Sequence, residues 1–282
     1  MIAQRLNLRA LSNRTLIYVI ALVFFFFCGF PFLWMILTSL KPLGEIFTET
    51  PIFLSRNANL ASFHRLFTTT NFLTYFKNSI FVAGSTMLFT IIVASLAGYG
   101  LTRFRFKGRE TLATMTLFTY MFAPIMIVIP LYIIMRNIRI VNTHFGLILS
   151  YTSFSLPFSL WLLRAFFQSI PLELEEAAMV DGASRFKAVI YVVMPMALPG
   201  IIATSIFTFI LAWNDYIFTR ILISSDELKT LPVGVQDLFN STVIDWGMIM
   251  ASGVMIIIPA MIFFMAVQRY LIKGWGTAAV KG

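Results

Sequence analysis

The chain has 282 residues, of which 59% are hydrophobic and only 12% are charged. Soluble domains carry about 25% charged residues, so this composition excludes an ordinary soluble protein and indicates a chain surrounded mainly by lipid. The net charge of +9 would also suit nucleic-acid binding, but the positions of the basic residues indicate membrane topology instead, and we predict no nucleic-acid partner.

Six long runs of residues contain no charged side chain, and each is 23 to 27 residues long. About 20 helical residues cross a bilayer core, and only helices and closed barrels satisfy every backbone group there. The runs lack the alternating polarity of barrel strands. We therefore predict an all-α membrane protein with six transmembrane helices. Their approximate bounds are 15–40, 78–102, 111–135, 142–163, 196–218 and 246–268.

The basic residues between these runs predict the orientation of the chain. With the N-terminus inside, 13 of the 21 Lys and Arg residues fall in cytoplasmic segments, which follows the positive-inside bias. Arg136 and Arg139 lie in a short outer loop and oppose it. We predict a multi-pass protein of the bacterial inner membrane with two cytoplasmic tails, 1–14 and 271–282, and a transmembrane domain at 15–270. The first run lacks a small-x-small cleavage site, so it is predicted to remain as an anchor.

Small and basic residues mark the second predicted span. Ala94 and Gly98 form a small-xxx-small pair, which lets another helix approach closely. The run Arg103–Arg109 follows and is the densest basic stretch of the chain. We interpret it as a topology determinant at the anionic inner leaflet rather than as a ligand site. Cys28 is the only cysteine, so we predict no intrachain disulfide, and no residue cluster predicts a metal site.

The fifth predicted span ends in Trp213, Asn214 and Asp215. One interpretation is an anchored helix end, because aromatic residues favour the interface. The other is a polar rim at the outer mouth of a pathway, so we keep all three residues as outer-pathway candidates. The next loop, Ile221–Asp245, is long and polar, and we predict a short helix near Val233–Phe239. This loop is our best outer candidate for contact with a soluble partner.

A polar stretch, 169–195, separates the fourth and fifth predicted spans and has the pattern of two short helices joined by a turn. Pro171 suits a first helical turn, and acidic residues follow at the positive end of the helix dipole. Gly182 suits the position just past the helix end, and Ser184 is a good N-cap for a second helix. In that helix we predict one apolar face, formed by Phe186, Val189, Ile190 and Val193.

The spacing alone allows two interpretations equally well: a plain amphipathic connector, or a segment that docks to a partner protein. The stretch resembles the EAA loop of ATP-binding-cassette importer permeases, whose pattern is EAA, three residues, Gly, nine residues and Ile-x-Leu-Pro. Glu176-Ala177-Ala178, Gly182 and Pro195 match in register, and Asp181 and Ala183 fit the extended form. Val192 and Met194 replace Ile and Leu, and both keep the apolar character.

The resemblance extends over nearly the whole chain and is greatest to carbohydrate importer permeases of the maltose type, specifically to their shorter permease subunit. Gly274-Trp275-Gly276 differs slightly from the glycine–leucine–threonine sequence that is usual in the C-terminal tail of the family. The matching segments are Asn78-Ser79, Tyr99, the RFRFKG run, Trp213-Asn214-Asp215, Leu231-Pro232-Val233-Gly234, Gln268-Arg269-Tyr270 and Ala279-Val280-Lys281-Gly282.

The resemblance implies a permease subunit that catalyses no bond chemistry and binds no cofactor. The sequence has no GxxxxGK[ST] phosphate loop, so a partner ATPase would use ATP and Mg. The implied partners are a second permease in a heterodimer, two ATP-binding-cassette ATPase subunits, an extracytoplasmic solute-binding protein and the lipid bilayer. We predict that the C-terminal residues Val280, Lys281 and Gly282 form a second ATPase contact. The implied coupling residues are Glu173, Glu176, Ala177, Ala178, Asp181, Gly182, Ala183, Phe186 and Pro195.

Three alternatives stay open at this point. The EAA pattern also fits importers of other small solutes, such as amino acids, peptides or phosphate. An intramembrane protease would need a serine–histidine pair in the membrane, and neither His64 nor His144 lies deep in a span. A proton-coupled secondary transporter would need ionisable groups at mid-membrane depth, and the runs contain only His144 near an edge.

Overall fold

The structure is a computed structural model that describes residues 2–48, 50 and 52–279, with side chains described between Leu16 and Gln268. All regular elements within these residues are helical. The α-helices are α1 (Ile2–Ser39), α2 (Leu43–Ile46), α3 (Ala61–Thr69), α4 (Phe72–Arg103), α5 (Arg109–Thr119), α6 (Pro124–Asn137), α7 (His144–Gln168), α8 (Leu172–Val180), α9 (Arg185–Ala188), α10 (Met194–Met196), α11 (Leu198–Asn214), α12 (Ile217–Leu222), α13 (Leu231–Phe239) and α14 (Trp246–Ala279). A π-helix, Val189–Val193, joins α9 to α10, and a 3₁₀-helix covers Asp226–Leu228.

Four of the described helices are long and apolar enough to cross a membrane: α1, from Leu16 onward, α4, α7 and α14, as far as Gln268. Two further spans are broken helix pairs, with a bend of 103° between α5 and α6 and of 72° at the junction of α10 and α11. The prediction of an all-α membrane protein is confirmed, and the count of six spans holds when each bent pair is one span.

Proline explains where the third predicted span breaks. Ala123 is extended, with φ −62° and ψ 140°, because the ring of Pro124 disfavours the helical conformation for the preceding residue. Helix α5 therefore ends at Thr119, and Pro124 starts α6 in the first turn, where its missing N–H is not needed. The charge-free run predicted one continuous helix here, and the structure shows two.

The chain forms two compact units, and one of them combines the residues up to Thr70 with Leu238–Ile258. In this unit the Arg65 guanidinium lies 3.0 Å from the Asp245 carboxylate, and the Asp245 side chain is largely buried. The same carboxylate accepts the backbone N–H of Met248 at 3.0 Å. Asp245 therefore caps the start of α14 and ties it to α3.

The other unit combines Asn71–Asp237 with the chain from Pro259 onward, and α4, α7 and α11 form its core. A methyl group on Gly98 would lie 3.3 Å from the backbone nitrogen of Arg164, so α4 and α7 approach closely at the predicted small-residue pair. Buried hydroxyls also join the helices: Thr90 lies 3.1 Å from Ser155, and Ser159 lies 3.3 Å from Thr208. Such hydrogen bonds hold helices together where lipid offers no polar partner.

Candidate functional site

Helix α8 and its C-terminal turn have the geometry that the sequence predicts. The helix begins directly after Pro171, and Gly182 has a φ of +92°. The backbone N–H of Ala183 donates to the Ala178 carbonyl at 3.0 Å, and that of Gly182 donates to Met179 at 3.1 Å. This pair of bonds is a Schellman motif, which satisfies the last carbonyls of the helix. The predicted position of Gly182, just past the end of the helix, is confirmed.

The second helix begins as predicted but does not continue as predicted. The Ser184 hydroxyl accepts the backbone N–H of Lys187 at 3.4 Å, so Ser184 is the N-cap of α9. The expectation of one apolar face is wrong, because Phe186 and Ile190 are exposed whereas Val193 is fully buried. The π-helix explains the difference. Its i→i+5 turn holds more residues than an α-turn, and it carries Val193 round the axis away from Phe186.

Most of the predicted coupling residues lie on the exposed side of this helix–turn–helix. Val180 is 86% exposed and Phe186 is 72% exposed, although both are apolar. Ala178 and Ala183 are half-buried. The other predicted coupling residues are exposed, namely Glu173, Glu176, Ala177, Asp181, Gly182 and Pro195. We call the exposed part of α8, the turn and α9, from Glu173 to Phe186, the coupling surface.

Glu175 is a residue of this site that the sequence did not single out. Its side chain is 1% exposed, and it is the fully buried residue of α8. The Tyr99 hydroxyl donates to one carboxylate oxygen. The other carboxylate oxygen lies 3.0 Å from Nε of Arg103, out of line for a hydrogen bond, so that contact is an ion pair. The half-buried Ala178 and Met179, at i+3 and i+4, are the sequence signal for an inward face.

Tyr99, which binds this carboxylate, belongs to a buried apolar cluster. The rings of Tyr99 and Phe167 meet edge to face with centroids 6.2 Å apart. Ile170, just before α8, and Val193, in the π-helix, complete the cluster on the loop side. Arg103 also donates through Nη2 to the Ile170 carbonyl at 3.0 Å. The loop therefore packs against the same end of α4 at both of its helical segments.

The basic run Arg103–Arg109 divides into buried and exposed members. The side chain of Arg103 is 8% exposed, and it pairs with Glu175. Arg109 pairs with Glu110 at 3.1 Å, and Arg164 of α7 reaches the other oxygen of Glu110 at 2.6 Å. Arg105 and Lys107 are exposed. The interpretation of the run as a topology determinant stays a prediction, and it applies best to these two exposed residues.

The outer-pathway candidates lie in different environments. Trp213 is 2% exposed and stacks on Phe209, with centroids 5.6 Å apart. Asp215 is half-buried, and one oxygen accepts the Tyr151 hydroxyl at 2.8 Å and the Phe218 N–H at 3.0 Å. Asn214 is exposed. These contacts favour the interpretation of an anchored helix end for Trp213 and Asp215. Val280, Lys281 and Gly282 lie outside the described residues.

The predicted short helix of the outer loop is α13, Leu231–Phe239. Asp226 lies between α12 and α13 and fastens this segment to the start of α4. One carboxylate oxygen of Asp226 accepts the Asn71 amide at 2.7 Å and the Tyr75 hydroxyl at 2.8 Å, and Lys229 Nζ lies 2.7 Å from the other. The hydrogen bonds from Lys229 and Asn71 lower the pKa of Asp226 from 3.8 to about 2.

A pKa that folding lowers predicts the pH range in which Asp226 stabilises the protein. The contribution is complete above the ordinary value of 3.8 and is lost as the pH falls toward about 2. We expect Asp226→Asn to lower the thermal unfolding midpoint of the detergent-solubilised chain at neutral pH, and its difference from the wild type to shrink over that acidic range. Glu227→Gln, on the same exposed turn, is the control. A difference that persists unchanged down to the lower value would contradict this role.

Comparison with known proteins adds independent information. The profile of the family described as "Binding-protein-dependent transport system inner membrane component" matches residues 90–276. The chain is 34% identical over 279 residues to the trehalose/maltose transport system permease protein MalG of Thermococcus litoralis. The alignment covers 96% of this chain and 98% of that protein. It is also 34% identical over 274 residues to the diacetylchitobiose uptake system permease protein DasC of Streptomyces coelicolor, with coverages of 97% and 99%.

A solved structure has the same fold. The crystal structure of a bacterial ABC transporter involved in the import of the acidic polysaccharide alginate contains a chain that matches with a TM-score of 0.80. The match covers 92% of this chain and 97% of that chain, at 23% sequence identity. Since the identity is low, the likeness is evidence for the fold alone.

Proposed function

This chain belongs to the family of binding-protein-dependent transport system inner membrane components, and we propose that it forms, with a second permease, the translocation pathway of an ATP-driven importer for a carbohydrate or carbohydrate derivative. Membership confirms the family predicted from the sequence. It makes the chain a permease of an ATP-binding-cassette importer, a multi-pass inner membrane protein and not an enzyme.

The observation that carries the proposal is the coupling surface. A short helix–turn–helix leaves Val180 and Phe186 exposed beside an exposed carboxylate, Glu176. Exposed apolar residues with a polar rim are typical of protein–protein contact sites. The sequence has no phosphate loop, so the energy of ATP must reach this chain through such a contact.

We assign distinct roles within the coupling surface. Glu176 makes a charged hydrogen bond to the ATPase subunit, and Gly182 supplies the turn that presents α8 and α9 together. Asp181 caps that turn. The C-terminal residues Val280, Lys281 and Gly282 form a second contact with the ATPase pair. The orientation that follows places this surface and both termini in the cytoplasm, in agreement with the distribution of basic residues.

The complete importer would contain this chain, a second permease, two ATPase subunits and an extracytoplasmic solute-binding protein. The printed description of the family as binding-protein-dependent supports the last of these. The mechanism is alternating access: closure of the ATPase pair displaces the coupling surface, and the helices rock between inward-open and outward-open arrangements. ATP drives this change because it binds one arrangement more tightly than the other.

The proposed substrate class rests on the relatives. A trehalose/maltose system and a diacetylchitobiose system each contain a permease that is 34% identical to this chain over almost its full length. Another small solute is the alternative. Growth of a strain that lacks this chain on single carbon sources distinguishes them: loss of growth on one carbohydrate supports the proposal, and loss of uptake of an amino acid, a peptide or phosphate supports the alternative.

The coupling surface can be tested with a pair of exposed valines. We expect Val180→Glu to reduce the amount of ATP-binding-cassette ATPase that copurifies with the tagged chain by at least about tenfold, because a carboxylate without a partner is costly in a closed contact. The measurement is the ratio of ATPase to tagged chain by quantitative mass spectrometry, after mild detergent extraction from native membranes.

Val243→Glu is the matched control, since Val243 is 81% exposed in a different loop. That loop is extracytoplasmic in the proposed orientation, so the control should keep the wild-type ratio. Equal losses in the two variants, or a loss in the control alone, would contradict both the docking site and the orientation.

A further inference from the structure

We propose that Glu175, Arg103 and Tyr99 form a buried clamp that fixes α8 to α4, and that this clamp delivers movement of the coupling surface to the transmembrane helices. The inference rests on the proposed function, because it concerns how a displacement that the ATPase imposes enters the bundle. It assigns Glu175 a positioning role, distinct from the docking contacts made by Glu176 and its exposed neighbours.

Helix α8 has little apolar attachment: Ala178 and Met179 are only half-buried. Its leucines, Leu172 and Leu174, are each 42% exposed, and the buried residue of the helix is Glu175. A helix of nine residues is marginal by itself and depends on tertiary contacts for its position. Apart from its packing against α9 and the π-helix, the fully buried contact of α8 is therefore a charged one.

The clamp resists separation because both charges are removed from water. Glu175 is 1% exposed and the side chain of Arg103 is 8% exposed, with 3.0 Å between their charged atoms. Pulling the two apart leaves an uncompensated buried charge, which is strongly unfavourable. The Tyr99 hydroxyl donates to the same carboxylate, and Arg103 also holds the Ile170 carbonyl. A displacement of α8 is therefore transmitted to α4 with little loss.

The alternative route from the coupling surface follows the chain itself into α11, and it is irregular. It passes through the π-helix at Val189–Val193 and then turns by 72° between α10 and α11. Bends of this kind absorb displacement locally. The clamp, in contrast, connects α8 to a helix that continues without interruption from Phe72 to Arg103 and packs along α7. We infer that α4 is the element that ATP-driven movement displaces first.

The test uses the complete importer complex, purified through a tag on this chain in a Cys28→Ser background. A single cysteine replaces Leu73, an exposed residue about 39 Å along α4 from Tyr99 at 1.5 Å per residue, and carries an environment-sensitive fluorophore. Addition of ATP and vanadate should change its emission in the otherwise wild-type complex. Glu175→Gln should retain the ATPase subunit but reduce this change by at least about fivefold, the lower end of usual coupling factors.

Three further variants separate transmission from folding. Arg103→Gln should lose the response as Glu175→Gln does, whereas Arg105→Gln, at an exposed arginine of the same run, should keep it. The double variant Glu175→Gln/Arg103→Gln removes both charges, so it should fold even where a single variant does not. We expect the double variant to retain the ATPase and still lack the response, which a role in stability alone does not predict.

The possible results distinguish failure of the clamp from failure of the proposed function. A full response in Glu175→Gln, or recovery of the response in the double variant, would overturn the clamp, because packing alone would then suffice. A wild-type complex that retains the ATPase yet shows no change at position 73 would also overturn it. A wild-type chain that captures no ATP-binding-cassette ATPase would overturn the proposed function instead.

Discussion

Replacing Gly182 by valine is expected to reduce copurification of the ATPase subunit by at least about tenfold. Gly182 has a φ of +92°, and a β-branched residue at positive φ is a conformational outlier that costs roughly 1–3 kcal/mol. The turn will relieve that strain by rotating, which breaks the two Schellman bonds and changes the angle between α8 and α9. A free energy of about 1.4 kcal/mol already corresponds to a factor of ten in binding.

Gly108 provides a closely matched control for this substitution. It has a φ of +86°, and like Gly182 it has open space where a side chain would extend. Gly108→Val should therefore suffer similar backbone strain, but at the start of α5 and outside the coupling surface. We expect Gly108→Val to keep a wild-type ratio of ATPase to tagged chain. If both variants lost the ATPase equally, the effect would come from general destabilisation and the assignment of Gly182 would be wrong.

The second large effect is expected at Gly146, where Gly146→Ala should destabilise the protein by about 3 kcal/mol. A methyl group there would lie 2.2 Å from the Ile140 carbonyl oxygen. That oxygen is held in place, because the Thr143 hydroxyl donates to it at 2.7 Å. Arg139 and Asn142 already have positive φ values, so the turn has little freedom to move away.

Gly84→Ala is the control for Gly146→Ala. No atom lies within 4 Å of a methyl group at Gly84, and alanine favours a helix by about 1 kcal/mol over glycine. Gly84→Ala should therefore be neutral or slightly stabilising. Both variants can be compared by the fraction of monodisperse protein that remains after a series of heating steps in detergent. A Gly146→Ala protein as heat-resistant as the wild type would show that the turn is more adaptable than its contacts indicate.

The features that the sequence predicted well depend on neighbours a few residues away. Pro171, Gly182 and Ser184 act on their own turns. Gly182 and Ser184 occupy the predicted positions, whereas Pro171 lies just before the predicted first turn, at the N-cap of α8. The small-residue pair ending at Gly98 marked a close helix contact, because an absent side chain permits approach whichever helix arrives.

Other features depend on partners that are distant in the chain. Glu173, Glu175 and Glu176 look equivalent in the sequence, and only α4 decides which of them is buried, since Tyr99 lies 76 residues away from Glu175. The sequence also allowed Asp215 to lie on a pore rim, but in the structure one of its carboxylate oxygens accepts a hydrogen bond from Tyr151 of α7. Residue types alone do not reveal such pairings, so the clamp could not be predicted from the sequence.

Bends and changes of helix type were harder to predict for a different reason. The run 111–135 is charge-free throughout, and hydropathy cannot distinguish one straight span from two pieces at 103°. Pro124 was the available signal, because it acts on the residue before it. The π-helix near Pro195 has no comparable signal in a single sequence. It made the predicted apolar face wrong, because it rotates the residues that follow Phe186 about the helix axis.

The π-helix also makes the length of the segment between Gly182 and Pro195 matter more than its composition. The π-turn already holds one residue more than an α-turn, so inserting a further residue into 189–193 would rotate α9 by about 100° about the helix axis and move it about 1.5 Å away from α11. The coupling surface would then face a different direction, although every residue type in it was unchanged. Val192 and Met194 already differ from the family pattern without altering the count. Selection on this segment should therefore tolerate exchanges among apolar residues and reject single-residue insertions.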